Sequence, residues 1–365
     1  MTYVDLHRQV SLDIETEIQT AIAGLVPASG TGTNKSAAKS AVTKLLRHQK
    51  LRHPLSVLPM LVHGIETGNP APAVPLAALH VLWWTSACYL DDLADAHEPQ
   101  AAPQTAPHPA PTPAPPPPST IDRNEALLAS VLSGTVLPLR IVRSLPVPAS
   151  VHGLLTAEIA TGWAVGIEGQ LTDIATDPSR ATPQSVITGY RGKSGGPYSM
   201  ITAMAAILAG ADASRVGHWR EFGYVFGILW QIFNDQEDIL SGRNEDLLNG
   251  TATYLLTCAL EDSPDRAARE RVLALCTAAR NSGAARAELA RILLSPAVLH
   301  RYRTDLEAFR ADAHRILGVL GGDDRYLAVL RHLVDHAAAM LLRPAPDRQS
   351  VPEPVPARTA LVQPA

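Results

Sequence analysis

No Lys/Arg-rich run occurs in these 365 residues, and a formal net charge of −4 with a pI near 6.3 gives no reason to expect a polyanionic partner. Nucleic-acid binding, which needs a concentrated basic surface, is therefore not expected. Cysteine is scarce as well. Cys88, Cys258 and Cys276 form no close metal-type pair and no even disulfide set, and read as core thiols of a reducing compartment. The opening Met1-Thr2-Tyr3-Val4-Asp5-Leu6-His7-Arg8 carries charge where a signal peptide needs an apolar run, so the expected location is cytoplasmic. Convincing alternating runs of the β type are missing. Two uncharged stretches invite a membrane reading, but Thr67 to Leu90 is broken by Pro70, Pro72 and Pro75, and Ser194 to Ala211 opens with Gly195, Gly196 and Pro197. Both read as buried helices, and no transmembrane segment is expected.

What is present is core and helix. With 46% hydrophobic residues the chain can fill one large α-domain or two ordinary ones. Helical periodicity runs from Leu12, Ile14, Ile18 and Ile22 through Leu289, Ile292 and Leu293 to Leu327, Leu330, Leu333 and Met340, so the expected fold is all-α. Gly30, Gly32, Pro54 and Pro70 read as joints within one bundle, a single helical domain over residues 1–342. Pro99 to Pro118 differs in kind, with ten prolines among twenty residues. The stretch 99–119 cannot join a packed core and is expected as a disordered insertion, either neutral in its loop or a flap over the site. Residues 343–365, with six more prolines, are expected as a disordered tail. No internal repeat is visible.

The chemistry gathers in two acidic clusters. Asp91-Asp92-Leu93-Ala94-Asp95 closes an uncharged apolar stretch, Pro75 to Leu90. On a helix Asp91 and Asp95 share a face, with Asp92 about a quarter-turn round, a set that suits hard oxygen-seeking ions such as Mg2+. Taken alone, the cluster reads equally well as a solvated helix terminus. A second apolar run, Gly227 to Phe233, leads into Asn234-Asp235-Gln236-Glu237-Asp238. Two acid-ended apolar helices imply facing metal sites.

Between the clusters lie Gly169-Gln170-Leu171-Thr172-Asp173 and Tyr190-Arg191-Gly192-Lys193-Ser194-Gly195, the latter ahead of a small-residue helix ending Leu208-Ala209-Gly210-Ala211. In this order, from about Lys50 to Leu260, the segments resemble the motifs of the polyprenyl synthetase family of class I isoprenoid enzymes. The resemblance implies an isoprenoid-synthase helical bundle around a deep apolar cavity, with three Mg2+ ions bridging the acidic motifs to a diphosphate. It implies metal ligation by Asp91, Asp92 and Asp95 on one side and by Asn234, Asp235 and Asp238 on the other, with Asp173 alongside. Lys193 joins them as a catalytic group, and Lys193, Arg191, Lys50 and Arg52 are expected to bind diphosphate. Metal ions and Lys193 would neutralise the departing diphosphate and leave an allylic carbocation. That cation needs a dry, π-rich wall, which Trp83, Trp84, Trp230 and Phe233 would supply, although core packing accounts for each of them equally. Gln170, Ser86 and Ala87 complete the expected cavity. Ser86 and Ala87 are small where short-chain members are bulky, which leaves room for a C15 or C20 chain, with Phe222, Tyr224 and Tyr198 limiting its depth. A homodimer is implied by resemblance alone, because no coiled-coil seam is visible.

Departures from the family pattern fall on the parts that hold a second substrate, isopentenyl diphosphate, in chain-elongating members. His48-Gln49-Lys50-Leu51-Arg52-His53-Pro54 keeps the lysine of its motif but has His53 in place of arginine, with Arg52 the nearest substitute. Trp84 replaces a diphosphate-binding histidine, the Arg-Arg-Gly expected after Asp95 is missing, and Thr251 stands for lysine in the segment Asp246 to Thr253. A charge-assisted bond to phosphate contributes roughly 1.5–3 kcal/mol, so a second diphosphate would be poorly held. Asn234 suits a terpene cyclase, whereas Asp238 and Gly242 do not, and Arg301-Tyr302 resembles a diphosphate-contacting pair of cyclases or is an exposed helical pair. The leading expectation is a terpene cyclase, or a prenyltransferase to an acceptor lacking diphosphate. The alternatives are a trans-isoprenyl diphosphate synthase of farnesyl or geranylgeranyl type, and a non-catalytic regulatory subunit of such a synthase.

Overall fold

A computed structural model of the chain describes residues 2–25, 36–49, 54–95 and 121–344, the side chains of residues 48, 49, 54 and 95 apart. The expected insertion 99–119, the expected tail beyond residue 344, and Lys50 and Arg52 lie outside the described residues. Among the described residues there is no strand, and the chain is all-α. In order the helices are α1 (Tyr3–Ala23), α2 (Ala37–Gln49), α3 (Leu58–Thr67), α4 (Val74–Asp95), α5 (Arg123–Val131), α6 (Leu137–Ser144), α7 (Ala149–Ala175) and α8 (Pro183–Tyr190). They continue as α9 (Gly196–Leu208), α10 (Ala213–Ser241), α11 (Glu245–Asn249), α12 (Tyr254–Glu261), α13 (Arg266–Ala279), α14 (Gly283–Leu293), α15 (Pro296–Leu320) and α16 (Asp324–Ala337). Five-residue π-turns, Leu132–Val136 and Arg191–Gly195, join α5 to α6 and α8 to α9.

Polar residues open these helices where first-turn N–H groups need acceptors. Thr2 and Asp5 cap one another's backbone at α1, Thr182 and Ser185 do so at α8, Asp122 accepts from the amides of Asn124 and Glu125, and Asp212 accepts from Arg215. The periodic residues Ile14, Ile18, Ile22, Leu289, Leu293, Leu327, Leu330 and Leu333 are all buried. Leu12 is not: it lies about 200° round α1 from Ile14 and is 76% exposed.

At the centre runs α9, whose residues from Gly196 to Ile207 are buried, flanked by α7 and α10. Its neighbours approach closely where they carry glycine, Gly162 of α7 against Met200 and Gly223 of α10 against Ser199. Ala71–Ala94 and Arg123–Ser144 are long and apolar enough to cross a membrane by length and composition alone, and here 61% and 50% of their most apolar windows are buried in the bundle.

One carboxylate fastens three helices. Glu66 of α3 accepts from Arg215 Nε at 2.9 Å, Arg215 Nη2 at 2.6 Å and Trp219 Nε1 at 2.7 Å, while Arg215 Nη1 reaches the carbonyl of Leu320 at the end of α15 at 2.9 Å. Glu66→Ala strands donors on two buried or half-buried side chains and is expected to lower the unfolding free energy by about 2–3 kcal/mol, read as a lower urea midpoint at unchanged slope. A loss below about 1 kcal/mol would show that the group behaves as an ordinary surface pair.

Candidate active site

Glycine contacts bring the predicted carboxylates together. A Cβ on Gly169 of α7 would sit 2.0 Å from Lys193 N, so only glycine lets α7 lie against the π-turn Arg191–Gly195. Asp173, one turn further along α7, thereby meets Lys193. Lys193 Nζ stands 3.1 Å from Asp173 Oδ2 and 3.1 Å from Asp91 Oδ1, so one ammonium spans α7 and α4. Burial works against that charge, but the two carboxylates outweigh it and raise the pKa of Lys193.

The second cluster is built on the other side of the same turn. A Cβ on Gly227 of α10 would lie 2.5 Å from Gly195 Cα, and this close approach seats α10 on the π-turn. Ser194 Oγ donates to Gln231 Oε1 at 2.5 Å, and Gln231 Nε2 donates to Asp235 Oδ1 at 2.9 Å. The Tyr190 hydroxyl donates to Asp235 Oδ2 and accepts from Tyr254 N at 3.0 Å. Asp238 accepts from the amides of Glu245 at 3.1 Å and Asp246 at 3.3 Å in the first turn of α11, and Arg243 Nε lies 3.7 Å from its Oδ1.

These acids are incompletely compensated. Burial, opposed by the hydrogen bonds from Tyr190 and Gln231, pushes the Asp235 carboxyl upward, with Asp173 adding to the rise. Asp246 is raised by burial and then by Asp235 and Asp238. Asp91 Oδ1 is buried without a hydrogen-bond donor, its contact with Lys193 being an ion pair rather than a directed bond. Trp84, Ala87, Cys88 and Asp91 share one face of α4, all half-buried. From there aromatic rings cross the bundle: Trp84 lies 5.3 Å from Tyr198 of α9, Tyr198 is 5.1 Å from Phe226 of α10, and Phe226 is 6.2 Å from Trp230.

The polyprenyl synthetase family model matches residues 125–291. Over that segment the chain is similar to the polyprenyl synthetase family. The match takes in Gly169 to Asp173, the π-turn and the second acidic cluster, while Asp91 to Asp95 lie ahead of it on α4. Among solved structures, the fold is similar to a geranylgeranyl pyrophosphate synthetase from Pyrococcus horikoshii Ot3, with a TM-score of 0.72, 17% identity, and coverage of 93% of this chain and 98% of that one. A decaprenyl diphosphate synthase from Rhodobacter capsulatus gives 0.69 at 18% identity over 92% and 98%, and a heptaprenyl diphosphate synthase from Staphylococcus aureus 0.68 at 15% over 91% and 97%. No curated protein matches by sequence.

Several expected family positions turn out otherwise. Arg191 is not at the acids: it lies two residues from Lys193, hence on nearly the opposite side of the turn, where it pairs with Glu221 at 2.6 Å and stacks 4.1 Å over Tyr224. Trp83 is core, 2% exposed and 4.6 Å from Trp163 of α7. Ser86 is also turned into a helix contact, its Oγ donating to the Ser130 carbonyl at 2.8 Å. Phe233 stacks on Trp230 and leans on His336 of α16 at 5.2 Å. Arg301 pairs with Glu261, and Tyr302 is buried rather than exposed, reaching the Ile232 carbonyl at 3.3 Å. Phe222 is core, whereas Tyr198 borders Trp84. Gln170 is half-buried with Nε2 unpartnered, Asp92 is exposed and Asn234 is half-buried. The side chain of Asp95 is outside the described residues. Tyr190, Ser194, Gln231 and Arg243 were missed as site residues; the i, i+4 spacing of Gln231 and Asp235 was the available signal.

Divalent cations fit this acid set. Buried carboxylates with raised pKa values are what a cation would relieve. Among the described residues no three His, Cys, Asp or Glu side chains stand close enough together to hold a metal ion by themselves. Facing clusters of this kind suit ions that also take ligands from a substrate phosphate. The same field acts on Cys88, whose thiol burial and then Asp91 and Asp92 push up to about 12. In the native protein at pH 8, iodoacetamide should label Cys88 about 10²–10³-fold more slowly than in the urea-unfolded chain, by peptide mass spectrometry. Rapid native labelling would show that the α4 face is open and its field weak.

Proposed function

We propose that this protein is a Mg2+-dependent enzyme of isoprenoid biosynthesis that ionises one allylic prenyl diphosphate of C15 or C20 length. The cation is then cyclised or passed to an acceptor lacking diphosphate. Trp84 carries the single-diphosphate part of this reading: it presents a ring packed on Tyr198 where a chain-elongating member would present a phosphate donor.

Asp91, Asp92 and Asp173, with Asp95, would hold Mg2+ from one side, and Asn234, Asp235 and Asp238 from the other. Bound there, the ions supply Lewis-acid neutralisation of the departing diphosphate. Lys193 adds a fixed positive charge between the two halves, already oriented by Asp91 and Asp173. Trp84, Tyr198 and Trp230 keep water from the developing cation and turn π-faces toward it. Ala87 leaves space on the same face of α4.

The second reading is chain elongation with isopentenyl diphosphate. It is favoured by the names of similar structures, which are geranylgeranyl, heptaprenyl and decaprenyl diphosphate synthases. Lys50, Arg52 and Arg243 would then hold the second diphosphate. Either chemistry would take place in the cytoplasm, with three free thiols kept reduced.

The apolar outer face of α7, with Ile167, Leu171 and Ile174 exposed, together with Leu127, Leu128 and Val131 of α5, supports a homodimer. The double variant Leu128→Arg, Val131→Arg should elute as a monomer in light-scattering chromatography, and an unchanged mass would remove this face as the interface.

Purified protein with Mg2+ and geranyl, farnesyl or geranylgeranyl diphosphate should release pyrophosphate and give hydrocarbon or alcohol without isopentenyl diphosphate. Longer prenyl diphosphates formed only when isopentenyl diphosphate is added would establish elongation instead. Asp91→Ala and Asp235→Ala should each cut pyrophosphate release by at least about 10²-fold while circular dichroism is unchanged, and wild-type turnover in either would sink the metal-site assignment.

A further inference from the structure

We propose that Tyr190 is a positioning residue that holds the Asp235 carboxylate in metal-ligating orientation and ties it to the segment Thr251 to Tyr254. The inference rests on the metal-dependent reading of the acidic clusters and assigns the part of the scaffold that keeps one of them set.

The geometry leaves the hydroxyl little choice. Tyr190 is 4% exposed and Asp235 5%, so neither can turn to water. The Tyr190 oxygen accepts from Tyr254 N at 3.0 Å, which occupies one lone pair and fixes where its own O–H points, namely at Asp235 Oδ2. Gln231 Nε2 holds the other oxygen at 2.9 Å, and Ser194 Oγ fixes the Gln231 amide with its oxygen toward the serine. Each Asp235 oxygen thus spends one acceptor site on the scaffold and keeps another for a cation. Without these restraints, repulsion from Asp173 and Asp246 would swing the carboxylate away from the cluster.

The placement of Tyr190 adds the second half of the argument. Tyr190, Lys193 and Ser194 stand within five residues where α8 enters the π-turn. Tyr190 and Ser194 act on the α10 acid, while Lys193 acts on Asp91 and Asp173. One short segment therefore sets both acidic clusters relative to each other. Through Tyr254 N it also links Asp235 to the Thr251 to Tyr254 segment that caps α12.

Tyr190→Phe keeps the ring and removes the hydroxyl. Mn2+ binding in the presence of inorganic pyrophosphate, followed by electron paramagnetic resonance, should weaken about tenfold. Half-saturating Mg2+ for turnover should rise in parallel, with kcat recovering at high Mg2+. Gln231→Met, which frees the opposite oxygen, should weaken Mn2+ binding too, and the double variant should show a non-additive loss because both restraints act on one carboxylate. Wild-type Mn2+ affinity in Tyr190→Phe, with only a lower Tm, would overturn the proposal and leave the metal reading standing. If Tyr190→Phe does not fold, unchanged Mn2+ affinity in Gln231→Met overturns it. Failure of the wild-type protein to bind Mn2+ with pyrophosphate at all overturns the metal reading and this proposal together.

Discussion

The ion contact of Lys193 with Asp91 and Asp173 is the interaction on which the site depends, because it is where negative charge from two separate helices is held in a half-buried setting by one fixed cation. Carboxylates at such separations repel strongly once water is partly excluded. A bundle of independently mobile helices would relax by moving them apart. The scaffold answers with contacts that cannot stretch: Gly169 on the π-turn, Gly195 on Gly227, and a wholly buried α9 between α7 and α10. Burial first, and then neighbouring carboxylates, raise the pKa values of Asp235 and Asp246, a strain that a divalent cation would relieve.

The π-turn Arg191–Gly195 does more than connect α8 to α9. A five-residue turn widens the helix and changes the angle at which successive side chains leave it. Lys193 then points to α4 and α7, Ser194 to α10, and Arg191 outward to Glu221. The same backbone irregularity thus sorts the basic residues of one segment into one that reaches the acids and one that cannot.

How much of this was legible in the sequence follows from what each inference required. The all-α bundle, and the grouping of Asp91, Asp173, Lys193 and Asp235, came from motif order and apolar periodicity, which need no knowledge of neighbours. Side-chain direction does need it. Trp83 and Trp84 are adjacent apolar aromatics, indistinguishable in composition, yet Trp163 of α7 claims the first and Tyr198 of α9 meets the second. Ser86 looked like empty cavity wall because its size was visible and its partner, the Ser130 carbonyl freed near a π-turn, was not. Tyr190 escaped notice for the same reason: a tyrosine closing a short helix gives no sign that a backbone amide sixty-four residues later will aim its hydroxyl at an aspartate.

The separation of polar and apolar residues along α4 would let the proposed cation chemistry and chain binding share one helical face. Asp91 closes the same helical face on which Trp84, Ala87 and Cys88 stand, so about 10 Å of helix leads from charge to an aromatic end wall. A diphosphate held at the acids would lay its hydrocarbon along that face, with Ala87 giving room and Trp84 and Tyr198 setting the far boundary. Under the proposed function the aromatic pair would do two things that a histidine at residue 84 would not: it would deny a second diphosphate its donor, and it would keep the chain's far end dry. Both effects would favour the proposed reaction of the cation within its own chain or with an uncharged acceptor, and both depend on the direction of one side chain, Trp84, which packs on Tyr198 of α9.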